Sequence, residues 1–156
     1  MLALVLFSGF VVGMAAALVL VIRGARSASR RGRKLSRKPK DLALILGGAA
    51  IGVYAWGMAH TGLAVMQAED GGAGSFPLKP CRDTDATKAV RVIGYEVDFV
   101  PLRFECRLDD GTRYRASSVP DYINPAALGL SLIAVTLAAA VVISRDDKSM
   151  RKGTHT

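Results

Sequence analysis

A chain of 156 residues that is 51% hydrophobic and only 22% charged is more apolar than an ordinary water-soluble domain. Its formal net charge of +8 is unevenly spread, because three blocks carry no Asp, Glu, Lys or Arg: Met1 to Ile22, Leu42 to Ala68 and Tyr122 to Ser144. This pattern excludes three buried helices of a globular protein, since core helices are shorter and carry a polar stripe.

About 20 residues, rising 1.5 Å each, cross about 30 Å of hydrocarbon, and each block is long enough to do so. The expected fold class is therefore a membrane α-helical protein of three transmembrane helices with a small extracytoplasmic β domain stapled by one disulfide. The first block is read as an uncleaved anchor, because MLALVLF opens the chain and the charges follow it, the reverse of a signal peptide. Residues 23 to 40 hold nine Lys or Arg and no acid, whereas residues 67 to 121 carry a net charge of −2 and the tail from Arg145 a net +2. By the positive-inside rule the basic loop and the tail are cytoplasmic. The chain then reads as transmembrane helix 1 over residues 1–22 with its N-terminus outside, a basic cytoplasmic loop over 23–41 and transmembrane helix 2 over 42–66. An extracytoplasmic β domain over 67–124, transmembrane helix 3 over 125–144 and a cytoplasmic tail over 145–156 complete it. The location implied is a bacterial plasma membrane.

The basic loop sets topology, and its cations Arg30, Arg31, Arg33, Lys34, Arg37, Lys38 and Lys40 would lie against anionic headgroups at about 1 kcal/mol each. No aromatic residue is interleaved to stack on bases, so nucleic acid is not an expected partner. Asp41 is suited to cap the second span behind Pro39, and Asn124 to cap the third ahead of a first-turn Pro125. Tyr54, Trp56 and His60 fall in the outer half of the second span, where amphipathic rings favour the interface. At mid-depth the spans offer only Ser8, Ser131 and Thr136, not the ionisable groups a carrier needs. Their small residues stand in the G-x-x-x-G spacing, Gly9 with Gly13 and Gly48 with Gly52, which lets helix backbones approach within one chain or between copies.

The segment QAEDGGAGSFPLKPC reads as an exposed linker. Period-two alternation then places Tyr95, Val97 and Phe99 on one face with Glu96 and Asp98 on the other; Val100 and Pro101 interrupt it as an edge or bulge would. It resumes with Leu102, Phe104, Cys106 and Leu108 against Arg103, Glu105 and Arg107. A two-residue turn would mix the faces. A three-residue turn, Asp109 to Gly111, pairs Cys106 with Tyr114, Phe104 with Ala116 and Glu105 with Arg115, and keeps the faces apart. The weaker run AVRVIGY, residues 89 to 95, supplies another strand. So small a domain buries little apolar area and needs a staple. The chain's two cysteines, Cys81 and Cys106, would close a ring worth about 3.5 kcal/mol in the chain-entropy account. A redox pair would prefer C-x-x-C spacing, and a metal site would need ligands this loop lacks, so neither metal nor cofactor is expected.

The run FVPLRFECRLDDGTRY, directly ahead of DYINP, resembles a group of uncharacterised small bacterial membrane proteins of actinobacterial type. In those a short β ectodomain with a Pro, an apolar-x-Phe strand and an Asp-Gly turn lies between two transmembrane helices. The resemblance covers about 35 residues and implies membrane location and a β ectodomain, with no activity attached; the cysteine pair and the brief link to the last span depart from it.

No phosphate loop, H-E-x-x-H or G-x-S-x-G occurs, and the carboxylates and hydroxyls of the external loop have no histidine in that loop to act as base, so catalysis and a small-molecule substrate are not expected. The functional expectation is a non-catalytic accessory subunit or interaction module, meeting a membrane or envelope protein through a polar face of Arg103, Glu105, Arg107, Arg113 and Arg115. A pore-forming protein of the holin type, self-associating through its spans, is the alternative, and an immunity protein the third.

Overall fold

The computed structural model describes residues 1–29, 39–69 and 77–153. In chain order they form α1 (Leu2–Ser29), α2 (Pro39–Glu69), α3 (Lys79–Arg82), α4 (Ala86–Ala89), β1 (Val92–Phe99), β2 (Leu102–Leu108), β3 (Arg113–Arg115) and α5 (Ile123–Gly153). Three of the helices are long and apolar enough to cross a membrane, over Leu2–Ser27, Pro39–Glu69 and Ile123–Ser144. Their flanks are apolar and exposed, at Leu4, Val5, Val12 and Leu18 on α1 and at Leu128, Leu132, Val135 and Ile143 on α5, a surface suited to a bilayer.

The helix ends differ from the expected ones for two reasons. Proline fits the first turn of a helix, so α2 starts at Pro39 and Asp41 lies inside that turn, not ahead of it as a cap. Charge ends a membrane span but does not end a helix, so α5 continues past Ser144 through Arg145, Asp146, Asp147 and Lys148 as far as Gly153.

The sheet is antiparallel, in the order β1-β2-β3. Its second hairpin has the expected register: Glu105 faces Arg115, Cys106 faces Tyr114, and the Ala116 amide donates to the Phe104 carbonyl at 2.9 Å. Gly111 holds φ at +83°, the left-handed conformation the three-residue turn requires. The first hairpin corrects the sequence reading. Val100 and Pro101, joined by a cis peptide bond, do not interrupt one strand; they reverse the chain, so that Phe99 pairs with Leu102 and Val97 with Phe104. The weak run before Tyr95 is divided. Ala89 ends α4, the register shifts between Val92 and Gly94, and Ile93 at that irregularity is left 64% exposed.

Two compact units emerge, and the division cuts across the long helices. One comprises Met1–Val12 and Tyr54–Asn124. Its core joins the inward face of the sheet, Leu102, Phe104 and Cys106, to Leu6 of α1, to Ala55, Ala64, Val65 and Ala68 of α2, and to Val119 and Ile123. The sheet thus does not rest on its own small core; helix residues close it. Gly57 makes that approach feasible, since a Cβ there would lie 2.7 Å from Leu102 Cδ2 and 2.8 Å from Ile123 Cγ2. Asn124 fixes the far end of the sheet: its Oδ1 accepts from the Leu102 amide at 2.9 Å and its Nδ2 donates to the Leu102 carbonyl at 3.0 Å. That amide side chain is committed to β2, and does not cap α5 as expected.

The second unit comprises Gly13–Val53 and Pro125–Thr156. Here α1 packs on α2 at Gly48, where a Cβ would lie 3.0 Å from the Ala17 carbonyl oxygen and 2.9 Å from Val21 Cγ2. Asp41 is only 3% exposed, and its Oδ1 has no hydrogen-bond partner among the described residues.

Candidate functional site

The outward face of the sheet gathers the residues that the alternation singles out. Cross-strand pairing sets Asp98 beside Arg103, Glu96 beside Glu105, Glu105 beside Arg115, and Arg107 beside Arg113. Two glutamates directly opposite each other repel. Arg113 resolves this by lying 2.8 Å from Glu96 and 3.9 Å from Glu105, while Arg103 approaches Glu105 at 4.0 Å and Arg115 reaches Asp121 at 3.0 Å. The face is thus a ladder of alternating charge with Glu105 at its centre, its side chain only 17% exposed. Arg107 makes no salt bridge among the described residues. Alternation placed Glu96 and Asp98 on a polar face, but neither they nor Asp121 were counted with the expected partner-binding residues, because their pairing depends on register between strands.

The disulfide joins Cys81 to Cys106, with their Cα atoms 6.0 Å apart, and ties α3 to the middle strand. Around it hydrogen bonds hold residues 80 to 84 against β3 and the segment after it, while residues 70–76 of the expected linker lie outside the described residues. The Tyr114 hydroxyl donates to the Cys81 carbonyl at 3.1 Å, the Thr84 hydroxyl to the Pro80 carbonyl at 2.9 Å, and the Ser117 amide to Thr84 Oγ1 at 2.9 Å. Asp85 caps α4 through the Thr87 and Lys88 amides; its bond from the Thr87 hydroxyl, then that from the Lys88 amide, hold its carboxyl at about 2. At the sheet's end Arg91 bridges to Asp109 at 2.8 Å and Asp110 at 3.0 Å, pinning the β2–β3 turn. The Tyr95 ring stacks on Phe104 at 5.1 Å and its hydroxyl donates to Glu69 at 2.7 Å. Burial first, and then this bond to a carboxylate, push its pKa up to about 12.

One grouping is not visible in the sequence at all. His60 of α2 lines a cleft of about 250 Å³ whose other polar lining residues are Gln67, Asp83, Ser117 and Ser118. The histidine expected merely at an interface, edge-on to Trp56 at 5.0 Å, therefore shares a cleft with a carboxylate and two hydroxyls from the loop that has no histidine of its own. Positions this remote in sequence meet only through the fold. No group of three or more His, Cys, Asp or Glu able to hold a metal ion occurs among the described residues.

The glycines assigned to helix packing are distributed between the units. A Cβ on Gly9 would lie 3.2 Å from Met58 Sδ, and one on Gly52 3.6 Å from Ala17 Cβ; with Gly48 they make contacts within the chain. Gly13 is half-buried on α1. Of the cations assigned to lipid contact, Lys40 is exposed at the start of α2, whereas Arg30, Arg31, Arg33, Lys34, Arg37 and Lys38 lie outside the described residues. No protein-family model, curated protein or solved structure matches the chain.

Proposed function

We propose that the chain is a non-catalytic accessory subunit or interaction module of a bacterial plasma membrane, which meets a membrane or envelope protein through the charged face of its sheet. The observation that carries this reading is the ladder Glu96–Arg113–Glu105–Arg103, a fixed alternation of charge on a rigid, disulfide-tied sheet. Alternating charge selects a partner by complementarity, and it disfavours partners whose pattern places like charges together. The charge distribution supports an orientation with the sheet outside and the basic loop and tail in the cytoplasm. In this reading the ectodomain is the working part and the spans hold it at the membrane.

In-cell photo-crosslinking from positions 103 and 107, followed by mass spectrometry, tests it. Capture of one abundant membrane or envelope protein, lost when Glu96 and Glu105 are both changed to Lys, is the expected result. Adducts only between copies of the chain, or none, would overturn the interaction-face reading.

A further inference from the structure

We propose that the β1–β2 turn, Phe99, Val100 and Pro101, is a membrane-seating element that rests at the boundary between lipid headgroups and acyl chains. The proposal stands on the three apolar helices and is independent of any protein partner.

Val100 is 90% exposed and Phe99 42%, at the tip of a hairpin whose second strand, β2, alternates cleanly between core and charged face. A turn in water would carry Asn, Asp or Gly, as the β2–β3 turn does with Asp109, Asp110 and Gly111.

Depth comes from two anchors. The Tyr54 hydroxyl donates to the Phe99 carbonyl, and Leu102, the residue after the turn, packs where Gly57 leaves room on α2. Both helix positions belong to the block from Leu42 to Ala68 that carries no charge. On the other side Leu102 is held at both its amide and its carbonyl by Asn124, immediately ahead of the uncharged run from Pro125 to Ser144. The turn therefore lies level with the entry of one apolar helix and with apolar residues of another.

Chemistry at the same level agrees. Trp56 and Tyr122 are exposed beside these anchors, at 48% and 58%, and with Phe99 they form the mixed aromatic set that favours a membrane interface. The first charged pair of the hairpin, Asp98 facing Arg103, comes directly after the tip. That limits insertion to the boundary region and puts the Arg103 guanidinium at phosphate level. The β2–β3 turn, about 20 Å farther along a seven-residue strand, stays in water with its two aspartates and their partner Arg91.

The occupant is thus lipid, not a second copy of the chain and not another protein. The test uses the full-length chain in phosphatidylcholine–phosphatidylglycerol vesicles whose acyl chains carry bromine near the headgroup. In a Trp56→Phe background, leaving no native tryptophan, Val100→Trp should lose most of its emission to the bromines while Thr112→Trp keeps its own. An intact Cys81–Cys106 bond, read by mobility without reductant, reports folding of each variant. The wild-type chain supplies a second measurement: a lipid with a photoreactive acyl chain should label the peptide containing Phe99 to Pro101. Equal emission from positions 100 and 112, or a residue-100 emission that is blue-shifted yet unquenched as under a protein cover, would overturn the proposal, as would absence of label from that peptide.

Discussion

Arg113 decides the electrostatics of the sheet because it alone stands between two glutamates that pairing forces together. Its side chain is 47% exposed, so each contact is weak in water, yet its removal leaves Glu96 and Glu105 facing each other with no intervening charge. Arg113→Ala is expected to destabilise the sheet-bearing unit by about 0.5–1 kcal/mol, and Glu105→Gln added to it should restore most of that loss. Thermal unfolding of the two variants at low and high salt checks this: the loss should shrink as salt screens the carboxylates. A second residue sets the alkaline limit. The Tyr95 phenol ordinarily titrates at 10.0 and in the fold at about 12, so the unfolded chain gives up its proton first. Its contribution is complete below pH 10 and is lost as pH rises towards 12. Tyr95→Phe keeps the stacking on Phe104 and removes the proton, so its stability should fall less steeply than wild type over that interval. Asp85 works in the opposite sense: its contribution is present above 3.8 and is lost as pH falls through about 2.

At the scale of elements, the contact that matters most for the sheet is its docking on α2, and Gly57 makes it possible. Gly57→Ala would place a methyl group against Leu102 and Ile123, so a loss of about 1–3 kcal/mol is expected. Asn124→Ala removes both bonds to the Leu102 backbone and should cost about 1–3 kcal/mol. Hydrogen exchange separates the two effects: loss of protection should centre on the Leu102 amide in the second variant and extend along β2 in the first. Neither role was legible in the sequence, where Gly57 is one glycine of an apolar block and Asn124 an apparent cap. What was legible depended on local period. The uncharged blocks fixed the three long helices, alternation gave both faces of β2, and matching those faces gave the three-residue turn with Gly111 at its left-handed position. The first hairpin was misread because Val-Pro lacks the usual marks of a tight turn, and α3 and α4 are single turns too short for any periodicity to show. The His60 cleft unites three distant segments and leaves no local signal.

Across the whole molecule the compact units do not follow the boundary between apolar and polar sequence. Segment 67–124 reads as a domain by composition, yet the unit that contains it begins at Tyr54 and recruits Met1–Val12. The reason is area. The segment's inward face, with Leu102, Phe104 and Cys106 fully buried, has little of its own to close against, and Ala55, Ala64, Val65 and Leu6 supply the missing surface. Small residues on α2 let the sheet come close, while Thr61 within that surface satisfies its hydroxyl on the Gly57 carbonyl at 3.1 Å. The disulfide constrains the unfolded chain but buries no apolar area to replace the helices. Residues 67–124 produced alone, with Cys81 and Cys106 joined, are therefore expected to lack a fixed core: amide exchange in β2 should be fast and the near-ultraviolet signal of Tyr95 and Phe104 weak. In the full chain in detergent or bilayer the same amides should be protected. Protection of β2 in the isolated segment equal to that in the full chain would show that the sheet closes its own core, and would return α2 to the role of a mere span.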